Sequence, residues 1–520
     1  MRPTAGHVPG NTRGWAPWLL ISVLALLLPF SLFAQKPGFS REAVQSGLVR
    51  LRISTARYSA ARPWSREVGS TYEVTGLVRP GNRILLPAGP VRDAVNIEVS
   101  RHGSYKTYPG RVLLADVEAN LAMVTADPEF FQGLEPIAFS ADPGPGNSYV
   151  AIRVDEKFNI ESTEVTVSQL LPIADYGFTR LPVAIFRSDP RFEGGGLVLD
   201  ENGIVGMIGF VDGQDRAEAV FASRLKQFQQ MIEKAKLKAV NPDEQSDTYA
   251  LPPGYDGFPV QGFFFSPLED PALRKHLGLN SQDGILITTV LNGCSVSAHL
   301  QAGDVLVRVD GFSVNPAGDY QDPKLGWQPV DLLFVRDVNG RPRKVGDSLA
   351  LSIVRKGKPL DVKIKLKAYE GGAERIPWAE PGPPPYLVHE GFIFTELSVP
   401  FLSERFGSKW KIRALSLAAL YEEKKYYASG DKQDRIIVLS DMLPAESTRG
   451  YEQFAGEQVM TINGKEVQSL RQIQEALEEK AGDLAEIELR SGRKIYIPTG
   501  AGNPDLRENY GIEKKFRLRP

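Results

Sequence analysis

The stretches GDVLVRVDGFSV (Gly303–Val314) and GEQVMTINGKEV (Gly456–Val467) follow one pattern. Each opens on glycine and an acid, continues as a strand, and closes on Asp-Gly or Asn-Gly. Those dipeptides favour the tight turn of a two-residue hairpin. The flanking segments repeat as well. Before the first copy stand QGFFF (Gln261–Phe265) and a helical LEDPALRKHLGL, and after it DSLALSIVRKGKPLDVKIKL. The second copy has GFIF (Gly391–Phe394), SVPFLSERFG, RIIVLSDMLP and AEIELRSGRKIYIP. A fold for this chain must therefore hold one small α/β module twice. The second copy carries an insertion, Ser408–Asp434, whose centre reads as helical.

Ahead of the repeat the pattern changes. GLVRLRI (Gly47–Ile53), YEVTGLVR (Tyr72–Arg79) and LAMVTA (Leu121–Ala126) are short runs rich in Val, Ile and Leu, with turn residues between them. This spacing predicts an all-β barrel or sandwich. His102-Gly103 falls at a hairpin tip. Phe221, Leu225, Phe228 and Ile232 recur at helical spacing, which predicts a helix over Ala219–Lys238. Segments rich in Pro and Gly at 239–257 and 368–385 read as linkers.

Composition excludes several classes. A net charge of −2 leaves no footprint for nucleic acid. Cys294 is the one cysteine, so no internal disulfide can form. It and the scattered His102, His276, His299 and His389 match no metal-ligand spacing, and no cofactor or metal is expected. At the start, Arg2 and Arg13 precede the apolar run Trp18–Ala34. That run is short for a membrane span and reads as a secretory signal peptide over 1–34, with an uncleaved anchor as the alternative. The expected location is the periplasm or cell envelope.

LNGCSVSAHLQAGDVLVRVDG resembles the signature of bacterial-type PDZ domains. In that family a glycine loop captures a peptide C-terminal carboxylate, and the next strand pairs with the peptide. The resemblance implies peptide-binding roles for Gly262, Phe263, Phe264 and Phe265, and for Gly391, Phe392, Ile393 and Phe394 in the second copy. The alternative for each phenylalanine is a plain core position.

A β-rich domain followed by two such modules resembles the HtrA/Deg serine proteases. The implied fold is mainly β: a trypsin-like double β-barrel over 41–238, a PDZ domain over 258–367, a PDZ-like domain over 386–500 and a tail over 501–520. Carried over residue by residue, the family's histidine falls on Gly89 in GLVRPGNRILLPAGPV. Its aspartate falls on Asn120 in DVEANLAMV, and its serine on Glu193 in RFEGGGLV. The oxyanion-loop glycine becomes Arg191. Acyl transfer needs a nucleophile, a base to take its proton and an acid to orient the base. None of the three residues carried over can play its part.

The expected function is therefore a pseudoprotease that binds peptide C-termini or unfolded polypeptides, as an adaptor or chaperone-like protein. The alternatives are an active serine endopeptidase of protein quality control, with the triad elsewhere, and an oligomeric scaffold. The resemblance implies trimers or larger assemblies.

Overall fold

The computed structural model describes residues 41–173, 177–187, 192, 194–211, 216–245, 251–279, 282–369, 371–379, 382–428, 431–432, 434–479, 483–500 and 502–518. The segment 1–34, read above as a signal peptide, lies outside them. Among the described residues no helix is long and apolar enough to cross a membrane.

Two seven-stranded antiparallel sheets form the N-terminal half. The first is built on the long hairpin of Leu48–Tyr58 with Arg66–Arg79, extended by Arg83–Leu86 and Leu121–Thr125. The second centres on Gly196–Leu199, Ile204–Val211 and Arg216–Phe221. Period-two alternation assigns the faces. In Arg83–Leu86, Ile84 and Leu86 enter the core inside the first sheet, whereas Leu85 enters a core shared by both. In Gly196–Leu199, Leu197 and Leu199 join the shared core and Val198 points into the second sheet's own interior. Both faces of these strands are dry, which is why they read as apolar runs. This is the mainly β, trypsin-like arrangement expected.

The helix is shorter than its sequence pattern. Ala219–Phe221 finish the strand Arg216–Phe221, and the helix spans Ala222–Ala235. Ala219 and Val220 pair with strands on both sides, so long-range pairing overrides local helical periodicity there. Leu225, Phe228 and Ile232 then seal the shared core.

Both segments read as linkers contain packed residues. Val240 bridges Val112, and the Tyr255 hydroxyl donates to Asp116 Oδ2 at 2.5 Å. Phe228 meets the rings of Tyr255 and Phe258. Tyr369, Ala373 and Ile376 of the second segment are buried. The helix also holds the first module, since Arg224 donates to the Arg343 carbonyl at 3.1 Å.

The two modules repeat at the level of single hydrogen bonds. Gly303 N–H donates to the Ile287 carbonyl at 2.9 Å, and Gly456 N–H to that of Leu439 at 2.7 Å. The hairpins turn through Asp310-Gly311 (φ 53° and 86°) and Asn463-Gly464 (φ 50° and 76°). Positive φ at both turn positions is what these dipeptides supply cheaply. Phe263–Ser266 pairs with Ile285–Val290, and Phe392–Glu396 with Ile437–Met442; the bulge falls after the second residue in both. The predicted helical centre of the insertion is realised as Trp410–Arg413 and Leu415–Lys424.

Candidate functional site

Gly89 and Asn120, two of the three residues singled out by the family resemblance, are in contact. Gly89 opens a one-turn helix, Gly89–Arg92, just after the strand Arg83–Leu86. Its N–H donates to Asn120 Oδ1 at 3.1 Å, and the Asn120 carbonyl accepts from Ala88 N–H at 3.3 Å. Asn120 closes the turn before Leu121–Thr125 with φ 50°, a conformation asparagine tolerates better than most residues. It is buried, and its Nδ2 donates to the Gly209 carbonyl at 3.2 Å. The side chain thus accepts on one atom and donates on the other, which an amide does and a carboxylate does not.

Glu193 and Arg191 lie outside the described residues, as do Ser188 and Asp189. Their neighbours Phe192 and Gly194 are described. Phe192 is buried, and a Cβ built on Gly194 would lie 2.3 Å from the Glu73 carbonyl oxygen. Gly195 has φ 84° and faces Pro87, two residues before Gly89. The glycines therefore serve close backbone approach. Gly209, the acceptor for Asn120, sits on the strand that pairs with Gly196–Leu199. The segments carrying Gly89, Asn120 and the glycine run converge. At Gly89 and Asn120 there is no group to take a proton and no carboxylate to orient one. His102 is an exposed turn residue whose Nε2 lies 3.1 Å from Gln45 Nε2.

Sequence reasoning passed over Glu118. Its Oε2 accepts from Phe178 N–H at 2.8 Å and Thr179 N–H at 3.0 Å. Burial pushes its carboxyl up to about 7, against the pull of those two amides. It thereby ties the turn that carries Asn120 to a loop of the second barrel.

That loop faces the first module. Gln261, Gly262 and Phe264 share a cavity of about 340 Å³ with Phe178, Arg180 and Tyr426. Gly262 has φ 84°, and a Cβ there would lie 2.1 Å from the Cβ of Cys294, so this position requires glycine. Arg180 is paired with Asp331 at 3.2 Å. Phe263–Ser266 is the edge strand of its sheet among the described residues, with no strand paired to its outer side, where the Phe263 carbonyl accepts from Gln261 Nε2 at 3.3 Å. Phe263 is buried in the module's core, and Phe264 and Phe265 are half-buried.

The second module differs. Phe392–Glu396 has Ile437–Met442 on one edge and Tyr386–His389 on the other. The latter strand also pairs with Phe516–Arg517. Phe392, Ile393 and Phe394 are each fully buried. The expectation that Gly391, Phe392, Ile393 and Phe394 take a peptide by strand addition meets a filled edge. A strand has two edges, and here the chain occupies both.

A PDZ-domain family model matches residues 379–515. Protease Do-like 2, chloroplastic, of Arabidopsis thaliana is 22% identical over 417 residues, covering 79% of this chain and 64% of its own. The chain thus spans less than two-thirds of that relative. Putative protease Do-like 12, mitochondrial, also of Arabidopsis thaliana, is 21% identical over 512 residues, covering 92% of this chain and 91% of its own. Among solved structures, that titled HtrA-type protease AlgW with decapeptide is 14% identical with a TM-score of 0.41, covering 64% of this chain and 99% of that one. With its two β-sheets followed by a PDZ match at 379–515, the chain is similar to the HtrA/Deg proteins, which join a trypsin-like protease domain to PDZ domains.

Proposed function

We propose that this chain is a binding protein on a protease fold: it captures peptide C-termini or unfolded segments at its first PDZ module and does not hydrolyse them. The observation that carries the non-catalytic reading is the Gly89–Asn120 hydrogen bond at 3.1 Å. The positions that would supply base and orienting acid meet, and they hold a backbone amide and a carboxamide. Glu193 at the serine position completes the reading. A carboxylate there is a poor nucleophile toward a peptide and repels a developing oxyanion. Removing triad groups leaves only a small residue of catalysis from binding and the oxyanion loop.

Binding is assigned to the first module because Phe263–Ser266 has an open edge and Gly262 shapes the loop before it. Main-chain pairing would supply affinity and the adjoining pocket selectivity. The reading includes export to the cell envelope, on the strength of the Trp18–Ala34 run, and a homo-oligomer of the family type.

The test has two arms. A fluorophosphonate probe and labelled casein should give neither serine labelling nor cleavage. A free-acid peptide library should yield ligands that the amidated versions do not match. Labelling of one serine, with casein cleavage abolished by its mutation, would establish the active-endopeptidase alternative. Absence of any peptide binding would leave the scaffold.

A further inference from the structure

The wall of the first module's cavity includes a residue from the second module. Tyr426 lies in the insertion of the second copy, yet its ring stacks on Phe264 with centroids 5.1 Å apart and planes at 25°. It also meets Phe178 of the second barrel at 5.4 Å, and Phe178 meets Tyr369 at 4.8 Å. The backbone around it is fixed. Tyr426 bridges Glu374, Tyr427 N–H donates to the Ala373 carbonyl at 2.8 Å, and Ala428 bridges Leu291 of the first module. With Tyr426 in place the cavity still measures about 340 Å³. That is enough for a large side chain and the chain end carrying it, so Tyr426 forms a wall and not a plug.

We propose that Tyr426 is a specificity-determining residue for the peptide C-terminus: the cavity assembled by Phe264, Phe178 and Tyr426 reads the last side chain and prefers an aromatic one. This rests on the proposed peptide binding at the first module. Three aromatic faces around one cavity favour an aromatic occupant through offset and edge contacts beyond simple burial. Arg180 on the rim adds a positive charge suited to a free carboxylate, although Asp331 shares it. A PDZ module alone would lack this wall. Selectivity here depends on the second module being docked, and by linkage an aromatic-ended ligand would favour the docked arrangement.

The experiment uses the full chain and two short N-terminally labelled free-acid peptides, identical except for a last residue of Phe or Ala, read by fluorescence anisotropy. The wild type is expected to prefer the Phe peptide. Tyr426→Ala should weaken that peptide by roughly three- to tenfold, the size of a lost aromatic contact. The Ala peptide should be unaffected. Tyr426→Phe should bind as wild type, and Tyr426→Leu, which keeps apolar volume, should lose most of the preference. An unchanged Phe-over-Ala preference in both Tyr426→Ala and Tyr426→Leu would overturn the assignment while leaving peptide binding intact. If neither peptide binds the wild type, the binding reading itself fails and this inference with it.

Discussion

Asn120 and Gly89 are 31 residues apart in sequence and share a hydrogen bond, Gly89 N–H to Asn120 Oδ1, at 3.1 Å. The other end of the same carboxamide donates to the Gly209 carbonyl at 3.2 Å. The amide joins the two barrels by using both its polarities.

Asn120→Asp therefore restores the residue type of the family's triad at a cost. It places an acceptor against the Gly209 carbonyl inside a buried site. A loss of about 1–3 kcal/mol is expected at neutral pH. The loss should shrink near pH 4, where a protonated carboxyl can again donate. Urea unfolding at the two pH values measures it, and equal stability of variant and wild type at pH 7 would show that the site accepts a carboxylate.

Glu118 sets a pH dependence. Its folded carboxyl, pushed up to about 7 by burial, holds a proton over a range where the unfolded chain has released it. The folded state binds more protons there, so stability falls as pH rises. Its contribution is fully present below the ordinary carboxylate range and is lost as pH climbs through about 7. Asp116, also raised by burial, acts in the same direction. The wild-type Tm should thus fall between about pH 5 and 8, and Glu118→Gln, which keeps an acceptor for Phe178 and Thr179, should flatten that slope. Parallel profiles would remove Glu118 from the account.

Asp304, the acid that opens the first repeat, is fully buried and held by Arg355 Nε and Nη2, each at 2.7 Å. Arg355→Ala leaves this carboxylate with the Gln301 amide at 2.9 Å. A loss of about 2 kcal/mol or more is expected, since an unpaired buried charge is costly. Guanidinium unfolding of the full chain measures it, and a change below a few tenths would contradict the pairing. Glu457, the matching acid of the second copy, accepts from Ser491 N–H at 3.3 Å and has no arginine fork among the described residues, so the repeated acid supports the two modules differently.

Peptide capacity follows from the sheet edges. Phe263–Ser266 has an open edge, whereas Phe392–Glu396 is paired on both sides. Calorimetric titration of the full chain with a saturating free-acid peptide should give a single equivalent per chain. Two equivalents would mean that Tyr386–His389 yields its place.

Much of this protein was determined by its sequence alone. Hairpin turns at Asp310-Gly311 and Asn463-Gly464 need positive φ, and few dipeptides provide it, so the repeat was legible. Period-two alternation in dry strands made the barrels legible, and the resemblance to the HtrA/Deg motifs singled out Gly89 and Asn120. Tertiary structure decided the rest. Ala219–Phe221 became strand because two neighbouring strands claimed their backbone groups. Apparent linkers became packed segments because single anchors such as Tyr255 and Tyr369 found buried sites far along the chain. Glu118 reaches the Phe178 loop, Tyr426 reaches Phe264, and Tyr386–His389 fills the second module's edge through contacts that local periodicity does not record. Local pattern specifies which backbone conformations are cheap. Which open edge or cavity receives a given side chain depends on where distant segments come to rest.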